Sequence, residues 1–263
     1  MSPKNQIIKT NYHTHMYLCR HASGTIDDYI EEAIKLNFTE IGISDHAPWE
    51  ELINRSERMY PNDYETYKLQ LEEAVKKYSD QIKVKKGLEI EYFRNKDNFY
   101  KKYLKEMDYM ILGQHYVEVD GKLISTYRIS SDKELTAYKD QVVEAMKTGY
   151  FKILAHPDLF LFSQREIGPT VLKLCEEIVL AAKENNVLLE INANGIRKGR
   201  ITVDNEVIYR YPRNEFFEFA KKYDAKCIIS SDAHKPELLY DEAIENAIKF
   251  SKTHGLRVEE ELE

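Results

Sequence analysis

Cysteine is scarce. Cys19, Cys175 and Cys227 are three in 263 residues, widely spaced and without a C-x-x-C pair. That excludes a disulfide framework and a thiolate zinc knot, and it fits a reducing compartment. Long apolar runs are missing as well. None approaches the ~20 residues a membrane helix needs. The opening MSPKNQIIKTNY holds no apolar stretch of the signal-peptide kind. A cytoplasmic protein with no membrane partner is the expectation. Basic residues show no excess: 38 Lys and Arg face 45 Asp and Glu, a net charge of -7. Phosphate backbones are bound by basic patches, so a nucleic-acid partner is not expected. Repeats, low-complexity stretches and Pro/Gly-rich linkers are absent too, and residues 1–263 read as a single domain.

What is present is an alternation of short β-branched runs with helical stretches, the pattern of parallel α/β units. The sequence predicts strands over 6–12, 40–44, 83–90, 109–113, 152–155, 187–191 and 227–231. Helices are expected over 25–36, 63–78, 132–147, 170–184, 213–223 and 240–250, with Thr25 capping the first and Asp27 and Asp28 in its opening turn. Short returns between them suggest an α/β fold that is a closed or nearly closed barrel. Three long irregular segments, 47–62, 158–169 and 192–212, follow strands, where α/β barrels carry their functional loops. Residues 116–130 read as a hairpin turning at Asp120-Gly121, and the tail EEELE as a solvated, frayed end that leaves His254 beside it without a role.

The histidines are not scattered. His13 and His15 end the first predicted strand, with His21 on the loop after it. His46 follows the second strand, His115 the fourth, His156 the fifth and His234 the seventh. Glu89 and Asp232 lie at the ends of the third and seventh. If the strands are parallel, all of these converge on one rim. In His13-x-His15 and Asp232-x-His234, residues two apart on an extended chain point to the same side and can serve one centre. Imidazole nitrogen with carboxylate oxygen suits zinc, iron or manganese. A glutamate has two oxygens with which to bridge cations; in GLEIE the choice lies between Glu89 and Glu91. Asp45, next to His46, is placed to fix an imidazole tautomer.

The segments NYHTHMYLCRHA, GISDHAPW, GLEIEY, GQHY, LAHPDLF and ISSDAH, in order from about Asn11 to about His234, resemble the polymerase-and-histidinol-phosphatase superfamily. Within it they are similar to the histidinol-phosphate phosphatases. The resemblance implies a distorted (β/α)7 barrel carrying three divalent transition-metal ions. His13, His15, Glu89 and Asp232 would hold the first ion. Glu89 would bridge to a second completed by His115 and His156, and His21, His46 and His234 would hold the third. The substrate implied is the small molecule histidinol phosphate. Clustered cations neutralise a phosphate dianion and lower the pKa of bound water, supplying hydroxide near neutral pH. Asp232 and Asp45 are the expected proton carriers, and Arg165 and Arg197, on loops after the fifth and sixth strands, the expected phosphate clamps. Trp49, Tyr116, Phe160 and Phe162 stand on loops where an aromatic either meets the imidazole of the substrate or packs into the core. Three other readings compete. A nuclease of the same superfamily would need a basic groove. An amidohydrolase barrel would need a bridging lysine at a strand end. A metal-storage or sensor protein would leave the open, arginine-bearing loops unexplained.

Overall fold

The computed structural model describes residues 8–49, 52, 55–164, 166–203 and 206–262. Eight parallel strands form one curled sheet in chain order: β1 (Thr10–Asn11), β2 (Glu40–Ile43), β3 (Lys83–Ile90), β4 (Tyr109–Leu112), β5 (Ile153–Leu154), β6 (Leu188–Asn192), β7 (Lys226–Ser230) and β8 (Arg257–Val258). Strands β2, β4 and β6 are buried along their whole length, as parallel strands covered on both faces are. Helices α1 (Ile26–Lys35), α2 (Asp63–Lys77), α3 (Asp97–Glu106), α4 (Asp132–Lys147), α5 (Pro169–Glu184), α6 (Ala193–Arg197), α7 (Asn214–Lys222) and α8 (Glu242–His254) supply the connections. The predicted cap of α1 is a reciprocal box: the Asp28 amide donates to Thr25 Oγ1 at 3.2 Å, and the Thr25 amide to Asp28 Oδ2 at 2.7 Å.

The sheet is a distorted barrel because its edges meet at one end only. At the C-terminal ends of the strands Thr14 pairs in parallel with Ala233. There the His15 amide donates to Ala233 O at 2.8 Å, and the Ser231 amide to Asn11 Oδ1 at 2.7 Å. At the other end β1 and β7 diverge, and the tail fills the gap. After β8 the Thr10 hydroxyl donates to Glu260 O, the Leu262 amide to Tyr12 Oη at 3.2 Å, and Lys85 Nζ to Leu262 O at 3.0 Å. The Leu262 side chain joins Tyr12, Tyr109, Ile111, Ile153, Ala155, Leu188 and Ile228 in the barrel interior.

The tail is therefore docked, contrary to the expectation of a frayed end: one leucine among glutamates is enough when its side chain enters the barrel and its backbone groups are bound by Tyr12 and Lys85. The hairpin at Asp120-Gly121 forms as expected, Tyr116–Val119 against Lys122–Ser125, with both turn residues at positive φ. Segment 192–212 is not irregular: it holds α6 and a second hairpin, Arg200–Val203 against Glu206–Tyr209. Residues 6 and 7 of the first predicted strand lie outside the described residues.

Candidate metal centre

All seven strand-end histidines, Glu89 and Asp232 come together at the closed rim. His13, His15, Glu89 and Asp232 are at most 5 % exposed. Glu89 stands at the centre, and its two oxygens divide the imidazoles. Oε2 lies 3.2 Å from His13 Nε2, 3.4 Å from His15 Nε2 and 3.0 Å from His46 Nδ1. Oε1 lies 3.1 Å from His156 Nε2 and 3.5 Å from His115 Nε2. Asp232 Oδ1 is 3.2 Å from His15 Nε2 and 3.8 Å from His13 Nε2. On the outer side His21 Nε2 and His234 Nε2 face each other at 2.9 Å. His156 and Asp232 both leave their strands at positive φ, 31° and 46°. That conformation is costly for a residue with a Cβ and concentrates at functional sites.

A shell of further groups aims these rings. His13 Nδ1 donates to Glu190 Oε1 at 2.7 Å, while Glu190 Oε2 accepts from the His156 amide and from Asn192 Nδ2. His115 Nδ1 donates to Glu91 Oε1 at 3.1 Å, and the buried Arg58 grips Glu91 bidentately at 2.8 and 3.0 Å. Glu91 therefore orients a ring, whereas the two oxygens of Glu89 face two different sets of imidazoles. Asn192 and Asn194 donate to Asp232 Oδ2 and leave Oδ1 facing the imidazoles.

The electrostatics follow from this crowding. Burial pulls the His13 pKa down, but Glu190, Glu89 and Asp232 outweigh it and hold the ring well above its ordinary value. Burial would raise Glu89 and Asp232, yet the surrounding imidazoles keep both carboxylates well below the usual range. His46 and His234 go the other way: burial and the neighbouring His15 lower both, His234 to about 3, so that each is a neutral ring. Neutral imidazole and ionised carboxylate are the ligating forms.

Three buried atoms in the middle of this cluster, His13 Nε2, His15 Nε2 and Glu89 Oε2, make no hydrogen bond. Native interiors rarely leave such atoms unpaired. Their convergence, with an all-nitrogen-and-oxygen donor set, fits transition-metal ions. Ligand atoms cluster in overlapping groups, among them His13, His15 and Asp232; His46, Glu89 and His115; and His15, His46 and His234.

The rim opens into a cavity of about 450 Å³ lined by His21, His46, Glu57, Arg58, Glu89, His115, Tyr127, His156, Asn194, Lys198, Asp232 and His234. A larger cleft of about 590 Å³, between Trp49 and the start of α3, touches none of the ligands.

Some expectations are corrected here. Arg197 does not face the cavity: its Nε and Nη2 bind Asp241 at 2.8 and 3.0 Å, and its remaining donors reach Ser231 O and Leu238 O. Its acidic partner lies 44 residues away, beyond any local spacing rule. Arg165 lies outside the described residues. Asp45 is buried behind the ligands and is absent from the cavity wall. It accepts from the amides of His46 and Cys19 and lies 3.4 Å from His15 Nδ1. That place suits a group that orients a ring, of His15 rather than of its neighbour, and not a proton carrier. Trp49 packs on Phe99, and Phe160 on Tyr138, both within the core; Tyr127 is the tyrosine of the cavity wall among the described residues. Sequence reasoning missed Glu190 and Arg58. The only available signal for Glu190 was an acidic residue in an otherwise apolar strand, LLEIN.

Comparison with known proteins places this geometry. The chain is 25% identical to the probable histidinol-phosphatase of Schizosaccharomyces pombe, over 85% of this chain and 80% of that one. It is also 25% identical to the histidinol-phosphatase of Bacillus subtilis, over 86% and 94%. Among solved structures, a putative histidinol phosphatase from Listeria monocytogenes superposes with a TM-score of 0.72 at 20% identity, covering 88% of this chain and 97% of that one. The histidinol phosphate phosphatase of Lactococcus lactis, complexed with zinc, L-histidinol and phosphate, gives 0.70 at 16%, covering 95% of each. These two structural likenesses establish the fold. The PHP domain model matches residues 11–194, more than half of the chain and most of the ligand constellation, and the chain belongs to the PHP domain family.

Proposed function

We propose that this chain is a metal-dependent phosphomonoesterase that hydrolyses histidinol phosphate to histidinol and inorganic phosphate. The observation that carries the reading is the set of buried imidazole and carboxylate atoms that converge on Glu89 without a hydrogen bond, opening into a cavity of small-molecule size. The relatives' names point to the substrate. The expected sharing is His13, His15, Glu89 and Asp232 for one ion, Glu89, His115 and His156 for a second, and His21, His46 and His234 for a third. Zinc, iron or manganese bound there neutralises phosphate oxygens and makes water acidic enough to ionise near neutral pH. The chain's own residues do the rest. Glu190, Glu91 and Asp45 hold the rings of His13, His115 and His15 in place, so that positioning costs nothing at the moment of reaction. Asp232, the carboxylate on the cavity wall that Asn192 and Asn194 fix, is the proton relay between water and leaving oxygen. Tyr127 closes one side against solvent. The three buried thiols accord with work in the cytoplasm.

The test is to load the protein with zinc, manganese or ferrous iron, count metal by elemental analysis, and follow phosphate release from histidinol phosphate and from a phosphodiester. About three equivalents of metal and a clear preference for histidinol phosphate are expected. One equivalent would sink the trinuclear site, and preference for the diester would favour the nuclease reading.

A further inference from the structure

Two side chains on the cavity wall stand apart from the rest. Every other charged lining group described is committed: Arg58 to Glu91, Glu89 to the imidazoles, and Asp232 to His15, Asn192 and Asn194. Glu57 and Lys198 are exposed at the mouth, and neither side chain makes a hydrogen bond or ion pair among the described residues. They are opposite in sign. Glu57 sits on the loop after β2 and Lys198 directly after α6, on the loop that follows β6. Strands β2 and β6 are four places apart in the strand order, nearly across the barrel from each other. The cavity mouth thus carries one uncommitted carboxylate and one uncommitted ammonium, brought to it by different loops.

We propose that Glu57 and Lys198 are specificity-determining residues that select a phosphomonoester carrying a cationic amine. Lys198 meets an outer oxygen of the phosphate, the position left without a cation by Arg197's commitment to Asp241. Glu57 receives the ammonium group on the far side. This assignment rests on the phosphomonoesterase reading above and adds to it the feature by which the enzyme tells one monoester from another. Selectivity is a difference of affinities. A solvated carboxylate at a cavity mouth contributes more to that difference than to binding strength, because an amine-free ester leaves it hydrated and unused. Lys198 acts as a point charge on a flexible stem and needs no fixed fork geometry to find a phosphate oxygen.

The experiment uses the metal-loaded full chain with 3-aminopropyl phosphate, propyl phosphate and histidinol phosphate, and inorganic phosphate as competitive inhibitor. Parent enzyme should favour the amine-bearing propyl ester. Glu57→Gln should lower that preference about ten-fold, the size of one charge-assisted hydrogen bond, and Glu57→Lys should lower it further. Lys198→Ala should weaken inhibition by inorganic phosphate about five- to ten-fold, with Lys198→Arg restoring most of it. Elemental analysis should find parental metal content in each variant. A preference that does not move in Glu57→Gln, phosphate inhibition that does not move in Lys198→Ala, or lost metal in either variant overturns the assignment. If histidinol phosphate is no better than 3-aminopropyl phosphate while Glu57→Gln still erases the amine preference, the histidinol reading fails and the selector stands.

Discussion

The two ends of the barrel solve opposite problems with the same strands. At the N-terminal end the interior is apolar: Leu262, Tyr12, Tyr109, Ile111, Ile153, Leu188 and Ile228 pack together, and both tyrosine hydroxyls are paired, Tyr109 Oη with Tyr12 O and Tyr12 Oη with the Leu262 amide. At the C-terminal rim, one to four residues further along the strands, the interior is crowded with imidazoles and carboxylates, several atoms have no hydrogen bond, and two backbones sit at positive φ. Stability resides at the first end, and capacity for chemistry at the second. Unpaired buried polar atoms cost about 1–3 kcal/mol each, and a fold tolerates several only where the opposite end supplies packing to offset them.

The largest effect should come from the centre of the rim. Glu89→Gln should reduce phosphate release by roughly a thousand-fold or more and lower metal content, while far-UV circular dichroism of the metal-free protein stays parental. Global unfolding of this variant would erase the division between the two ends.

Glu91 tests the boundary between ligand and support. Burial opposes its charge, but Arg58 and His115 prevail and lower its pKa from 4.5 to about 2. A depressed carboxylate stabilises the fold above its unfolded pKa, and that contribution fades as pH falls from about 4.5 toward 2. Glu91→Gln in the metal-free protein should therefore cost about 3 kcal/mol at neutral pH and flatten the acid limb of stability measured by urea titration. A parallel acid limb in parent and variant would contradict the Arg58–Glu91–His115 relay.

At the opposite end Leu262→Ala should cost about 2–3 kcal/mol of unfolding free energy, with kcat/KM per folded molecule close to the parent. A large catalytic loss there would mean that the ends are not separable. The smallest change is expected at Arg197→Lys. Loss of its fork to Asp241 should cost about 1–2 kcal/mol without altering inhibition by inorganic phosphate, in contrast with Lys198→Ala.

Much of the rim was legible in the sequence because period and polarity agree there: a histidine or acid at the end of an apolar strand has only one place to point. Strands β2, β3 and β4, and helices α1, α2 and α4, fall within a residue or so of expectation for the same reason. What stayed hidden depends on partners distant in the chain. Arg197 looked available because Asp241 lies 44 residues on. Arg58, in a polar loop, has nothing nearby in the chain to mark it as buried, yet it is 2 % exposed because Glu91 stands 33 residues away to receive it. Helix α3, DNFYKKYLKE, was overlooked: its Lys-rich face masks the Tyr100 and Tyr103 pair that it buries. The tail's composition concealed its docking, which is a matter of backbone and of one leucine.

Glu190 joins parts that the chain keeps far apart. One of its oxygens holds the ring of His13, after β1; the other holds the backbone of His156, after β5. A carboxylate is a flat, stiff body, so neither oxygen can shift without the other. The ring of His13 and the backbone of His156 are thus tied to each other through a residue that is absent from the cavity wall.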